Sequence, residues 1–131
     1  MIRLMVAIIA FLIALQVDAK SVTIRRVHID GVRIDLIEPP DEDTYKGSLV
    51  VLFYREKPDD TPDQYLAGRI WKRQGAVSRI QGEALADGSI QLRVYLRKES
   101  SDTVDQVIFK LPRWTGGPPP YSLMALGTPD D

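Results

Sequence analysis

The chain has 131 residues, with 17 Lys or Arg against 18 Asp or Glu and a formal net charge of -1. That balance argues against a dedicated nucleic-acid binder, whose signature is a basic excess. The absence of cysteine excludes disulfides, cysteine nucleophiles, thiolate metal sites and lipid attachment at an N-terminal cysteine.

Residues 1–19 have the composition of an export signal. Arg3 gives a positive start, Leu4 to Leu15 is an unbroken apolar stretch of twelve, and Val17-Asp18-Ala19 offers small residues at a cleavage position. Twelve residues at about 1.5 Å each do not cross a hydrocarbon core of roughly 30 Å, so cleavage near Lys20 is expected, with no membrane span afterwards. Cleavage removes Arg3 and Asp18 and leaves 112 residues with 16 basic and 17 acidic side chains, enough for one modest core. An exported domain of this size without disulfides points to a bacterial envelope, periplasmic or secreted.

From Ser21 onward apolar residues recur with period two, which predicts an all-β domain over residues 20–112. Residues 22–29 and 32–37 flank Asp30-Gly31, a pair suited to a type I′ turn because both positions need positive φ. The register that follows pairs Ile29 with Val32 and Val27 with Ile34, and on the other face His28 with Arg33 and Arg26 with Asp35. Ile24 and Arg25 then fall out of phase, which predicts a β-bulge near Arg25 and Arg26. Residues 48–55 read as a central strand covered on both sides, because Leu49 to Tyr54 is apolar throughout. Residues 57–63, with two prolines and three aspartates, read as a solvated loop.

Residues 65–111 are expected to form a four-stranded meander. A three-residue loop at Arg73-Gln74-Gly75 would set Gly68 opposite Ile80 and Ile70 opposite Ser78. At the next turn, a three-residue loop Ala86-Asp87-Gly88 puts Ala84, Gly82, Ile80 and Ser78 against Ile90, Leu92, Val94 and Leu96. A two-residue turn would put Glu83, Gln81 and Arg79 there instead, so the longer loop is predicted. Val107, Phe109 and Leu111 then align with Val94, Leu92 and Ile90. Residues 113–131 form a Pro/Gly-rich tail, in which Gly116-Gly117-Pro118-Pro119-Pro120 cannot join a central strand. The tail admits three readings: an eighth strand from residues 121–126, a polyproline II ligand for a partner groove, or disorder. The predicted architecture is a single domain of seven to eight antiparallel strands, a sandwich or partly closed barrel.

The expected meander generates a candidate ligand-binding face. Its outward rows are Trp71, Val77, Arg97; Arg69, Arg79, Tyr95; Ala67, Gln81, Arg93; and Tyr65, Glu83, Gln91. Four arginines, Arg69, Arg79, Arg93 and Arg97, would share one surface with Tyr65, Trp71 and Tyr95. Arg69 opposite Arg79 is a destabilising like-charge pair that a bound anion would relieve. Guanidinium forks grip carboxylate, phosphate or sulfate, and the aromatic rings stack on a sugar or peptide. The competing reading is an ordinary solvent face on which Arg93 pairs diagonally with Glu83.

Other chemistry has weaker support. His28 is the only histidine, and it sits one residue before a sharp turn and opposite Arg33, a poor setting for a proton-accepting base. Asp41, Glu42 and Asp43, and Asp59, Asp60 and Asp63, are two acidic loops that lack the spacing of a calcium loop. No catalytic residues, metal or cofactor are assigned. The reading is a non-catalytic exported binding or inhibitor-like module whose partner is an anionic envelope component or a protein. The alternatives are a carboxylate-based hydrolase of an envelope or extracellular polymer, and a structural envelope protein.

Overall fold

The computed structural model describes residues 22–40 and 45–126. The export signal, its cleavage site and the acidic residues 41–43 lie outside the described residues. Eight strands run in chain order: β1 (Thr23–Ile29), β2 (Val32–Glu38), β3 (Lys46–Arg55), β4 (Gln64–Gln74), β5 (Ala76–Ala84), β6 (Ile90–Arg97), β7 (Val104–Leu111) and β8 (Met124–Leu126). They form two four-stranded antiparallel meanders, β1-β2-β3-β4 and β5-β6-β7-β8. The two sheets pack face to face as a sandwich, and none of the described residues is helical.

The core follows from the alternation. Val32, Ile34, Leu36, Leu49, Val51, Phe53, Leu66 and Ala67 of the first sheet meet Val77, Ile90, Leu92, Val94, Leu96, Val107, Phe109 and Leu111 of the second. Both inner faces are continuous apolar surfaces, and removing them from water is the main drive holding the sheets together.

The first hairpin has the expected register from Ile29↔Val32 to Arg26↔Asp35. Asp30 and Gly31 have φ of 51° and 75°, the positive values that a type I′ turn requires. The bulge expected near Arg25 and Arg26 does not form, and the ladder runs unbroken to Thr23↔Glu38. Instead Arg25 stays on the core side at the sheet edge. Its Nε pairs with Glu38 at 3.3 Å, and its NH2 donates to the Val77 carbonyl at 3.5 Å. Ile24 is consequently left on the outer face, 54% exposed. Strand β3 is interior to its sheet, but covered less than expected. Leu49, Val51 and Phe53 are buried, whereas Val50, Leu52 and Tyr54 are half-buried on the outer face.

The largest correction concerns the meander. β4 does not pair with β5; its partner is β3, through Leu49↔Trp71, Val51↔Arg69 and Phe53↔Ala67. Gly75 alone separates the two strands, and one residue cannot reverse the chain within a sheet, so it turns the corner from one sheet to the other. Gly75 has φ of 136°, and its N–H donates to the Tyr45 carbonyl at 2.6 Å. A Cβ there would lie 2.9 Å from the Arg97 carbonyl oxygen, so this close approach also requires glycine.

The remaining registers largely match expectation. Leu85 N–H bonds to the Ser89 carbonyl at 2.9 Å across the loop Ala86-Asp87-Gly88, and Gly88 has φ of 87°. Ala84↔Ile90, Gly82↔Leu92 and Ile80↔Val94 follow, as do Val107↔Val94, Phe109↔Leu92 and Leu111↔Ile90. Past Arg79 the β5 ladder slips by a residue, so Val77 rather than Ser78 faces Leu96. Val77 thereby moves into the core, and Ser78 is left exposed at the bulge.

Two devices close the sandwich. On one side β1 lies against β5: a Cβ on Gly82 would sit 2.6 Å from Val27 Cγ1, so the strand surfaces touch only because Gly82 has no side chain. On the other side the tail crosses between the sheets. Tyr121 N–H donates to the Leu66 carbonyl of β4 at 2.8 Å, and three residues later β8 pairs with β7 through Ile108↔Leu126, Phe109↔Ala125 and Lys110↔Met124. The apolar run in the tail therefore forms an eighth strand.

Candidate binding face on the second sheet

β6 positions the site. Its alternate residues Ile90, Leu92, Val94 and Leu96 are buried, so Gln91, Arg93, Tyr95 and Arg97 point outward. Arg79, Gln81 and Glu83 of β5 lie opposite Tyr95, Arg93 and Gln91, and Gln106, Ile108 and Lys110 of β7 flank them on the other side. The rows are Arg79-Tyr95-Gln106, Gln81-Arg93-Ile108 and Glu83-Gln91-Lys110.

Polar groups at one end of this face satisfy one another. Arg93 Nε donates to Glu83 Oε1 at 3.1 Å and its NH1 to Gln106 Oε1 at 2.5 Å, while Gln91 Nε2 donates to Glu83 Oε2 at 2.6 Å. Lys110 Nζ approaches Asp87 Oδ2 at 3.7 Å. The Asp87 carboxyl is held below the usual carboxylate value, first by the Ser89 hydroxyl and then by the Ser89 N–H, with Lys110 adding to both.

Toward the other end the arginines have no carboxylate partner among the described residues. The Arg79 guanidinium lies 4.1 Å from the Tyr95 ring centroid, and the Tyr95 hydroxyl donates to Gln81 Oε1 at 3.4 Å. Arg97 is exposed between Ala76 and Val104, with no ion pair among the described residues. An exposed arginine stacked on a tyrosine keeps its fork of donors free, which suits a carboxylate or phosphate presented in the plane of the guanidinium.

The structure brings together Arg79, Arg93, Tyr95 and Arg97 of the expected face and separates the other three. Arg69 lies opposite Val51 on the first sheet, so the like-charge pair with Arg79 does not exist. The Arg69 guanidinium sits 5.2 Å from the Trp71 ring, and Trp71 packs edge-on to Phe109 at 6.0 Å, covering the open side of the core. Tyr65 is on the outer face of the first sheet, edge-on to Tyr54 at 5.8 Å and over the bare backbone of Gly68.

On the β1–β2 side of that first outer face the charged side chains pair with one another. Asp35, 5% exposed, accepts from Arg26 Nε at 2.7 Å and NH2 at 3.3 Å and faces Arg33 Nε at 3.6 Å. Arg33 NH1 reaches Asp63 at 2.7 Å and stacks on Tyr54 at 4.2 Å. Asp35 raises the Arg26 pKa, chiefly through its hydrogen bond. His28 Nδ1 lies 3.2 Å from Glu56 Oε1 in the open. Among the described residues no group of three His, Asp or Glu is placed to hold a metal ion.

Sequence reasoning missed a cleft of about 500 Å³ where the ends of β3 and β4 meet the turn after β6. Lys46, Lys72, Arg73 and Lys98 line it, with Glu99 as the one carboxylate among the described lining residues. These cations are far apart in sequence. Only the β3–β4 pairing, which sets Lys46 by Gln74 and Ser48 by Lys72, and the corner at Gly75 bring them together.

Neither a protein-family model nor a curated protein sequence matches the chain. The fold has a solved counterpart in PliI-Ah, a periplasmic inhibitor of I-type lysozyme from Aeromonas hydrophyla. The two superpose with a TM-score of 0.60 at 18% sequence identity, over 83% of this chain and 93% of that one. What is shared at that identity is the all-β sandwich.

Proposed function

We propose that this chain is an exported, non-catalytic inhibitor-type module that binds a glycan-cleaving enzyme of the lysozyme class. The likeness to a periplasmic lysozyme inhibitor over 93% of that protein's length carries this reading. The binding surface proposed is the outer face of the second sheet, with Arg79 and Arg97 as free guanidinium groups and Tyr95 as the rigid aromatic between them. Tyr and Arg are the residue types that dominate binding energy at protein interfaces, and glycosidases of this class work through paired carboxylates that a cationic face complements. The disposition of the acids supports a binder over a hydrolase. Asp35, Asp63, Glu38, Glu83 and Asp105 are each engaged by an arginine or lysine, and the charged side chains lining the cleft are cations apart from Glu99 among the described residues.

Cell-wall lysis assays with a panel of lysozymes that includes an I-type enzyme test the proposal. Stoichiometric protein should suppress at least one of them, and the Arg79→Gln/Arg97→Gln variant should need about tenfold more protein. Undiminished lysis across the panel, or release of sugar fragments by the protein itself, would overturn the reading.

A further inference from the structure

We infer that the basic cleft at the end of the sandwich is a binding site for a small polyanion, a ligand carrying two or more carboxylate or phosphate groups. It is separate from the proposed enzyme-binding face and does not depend on that reading.

Convergence of unlike parts of the chain is the first observation. Lys46 and Lys72 come from neighbouring strand ends of the first sheet, and Lys98 comes from the turn after β6 of the second. In a chain of net charge -1, four cations around one cavity, against Glu99 in the described lining and Asp105 on Lys98, concentrate positive potential that the composition does not require. Lys46 and Lys72 are exposed and have no hydrogen bond or ion pair among the described residues. Lys98 is held by Asp105 at 3.0 Å, and the Lys98 N–H donates to the Thr103 carbonyl at 3.1 Å, so its position is fixed before any ligand arrives. Arg73, only 7% exposed, is anchored through NH1 to the Gly75 carbonyl at 3.0 Å.

The lining also sets the ligand class. Besides the cations it offers the Ser48 hydroxyl and the Gln74 amide, with Tyr45 as the one aromatic ring among the described lining residues. A donor-rich, ring-poor lining suits acid oxygens rather than a stacked sugar or base. The volume of about 500 Å³ matches a small molecule. Because cations come from both sheets, a ligand with two separated acid groups can bridge Lys98 to Lys46 and Lys72, which a single carboxylate cannot.

Titration calorimetry and amide NMR with citrate, pyrophosphate and glucose as probes test this. Citrate or pyrophosphate should bind saturably with a dissociation constant of about 1 mM or tighter, and glucose should not bind. Raising salt from about 50 to about 200 mM should weaken the complex several-fold. The amides of Gly47, Gly75 and Lys98 should shift on binding. Which anion binds more tightly assigns the site to carboxylate or to phosphate. Lys46→Gln/Lys72→Gln, two exposed positions whose exchange should leave the melting temperature unchanged, should lose about tenfold in affinity, while Arg79→Gln binds as the parent does. Failure of both anions to saturate, equal affinity in the double variant, or shifts confined to the Arg79 and Tyr95 face would overturn the inference.

Discussion

The two outer faces of the sandwich carry similar residues in different electrostatic states. On the β1–β2 side of the first sheet Arg26 and Arg33 converge on Asp35, and Arg33 continues to Asp63, so those charges are neutralised within the protein. Among the described residues of the second sheet's outer face, Arg93 is the one arginine with a carboxylate, Glu83, whereas Arg79 rests on Tyr95 and Arg97 stands in solvent. A buried carboxylate cannot remain without cations, so the first face reads as scaffold. Free exposed guanidinium groups contribute little to folding and remain available to a partner.

Removing Asp35 should break this contrast most severely. Asp35→Ala takes the carboxylate from Arg26 and leaves Arg33, already half-buried, with Asp63 alone, and should destabilise the fold by about 2–3 kcal/mol. Chemical denaturation measures it; a loss below about 0.5 kcal/mol would make the first face as dispensable as ordinary surface. The second face should respond in the opposite way. Arg79→Gln/Arg97→Gln is expected to stay within about 0.5 kcal/mol of the parent in stability while weakening enzyme inhibition about tenfold. Loss of stability without loss of inhibition would reverse the roles of the two faces.

The loop at the far end of the second face provides a smaller test. Gly88 has positive φ, and a Cβ there would meet Arg113 Cδ at 2.9 Å, the movable stem of an arginine. Gly88→Ala should therefore cost about 1 kcal/mol, mostly from backbone strain, as read from the denaturation midpoint. The smallest effect is at Asp87. Its folded-state value lies below the ordinary 3.8, so its contribution is present above that value and fades as pH falls through the folded one. Asp87→Asn should flatten the acid limb of the stability profile and leave neutral pH nearly unchanged; an identical acid limb in both proteins would count against the Ser89 and Lys110 contacts.

Legibility from sequence followed the range of each interaction. The Asp30-Gly31 hairpin and the loop Ala86-Asp87-Gly88 were readable because turn residues and alternation agree over a few positions. The partner of β4 was not. Tyr65 to Gln74 satisfies the alternation equally well beside β5 or beside β3, and only the sharp corner at Gly75 decides between them. That single choice removed Arg69, Trp71 and Tyr65 from the predicted face. Within β5, the bulge at Ser78 arises because Val77 gains more from the core than a regular ladder would give, which no local pattern announces.

Sequence alone determined the all-β class, the positions of β1 to β7, the first hairpin and the inward set Ile90, Leu92, Val94 and Leu96, because strand periodicity and turn preferences act between near neighbours. Tertiary structure decided which sheet each strand joins, which arginines keep free guanidinium groups, and that Lys46, Lys72 and Lys98 meet around one cleft. Those outcomes depend on contacts between residues dozens of positions apart, where long-range packing and strand pairing choose among registers that local chemistry leaves nearly equal in energy.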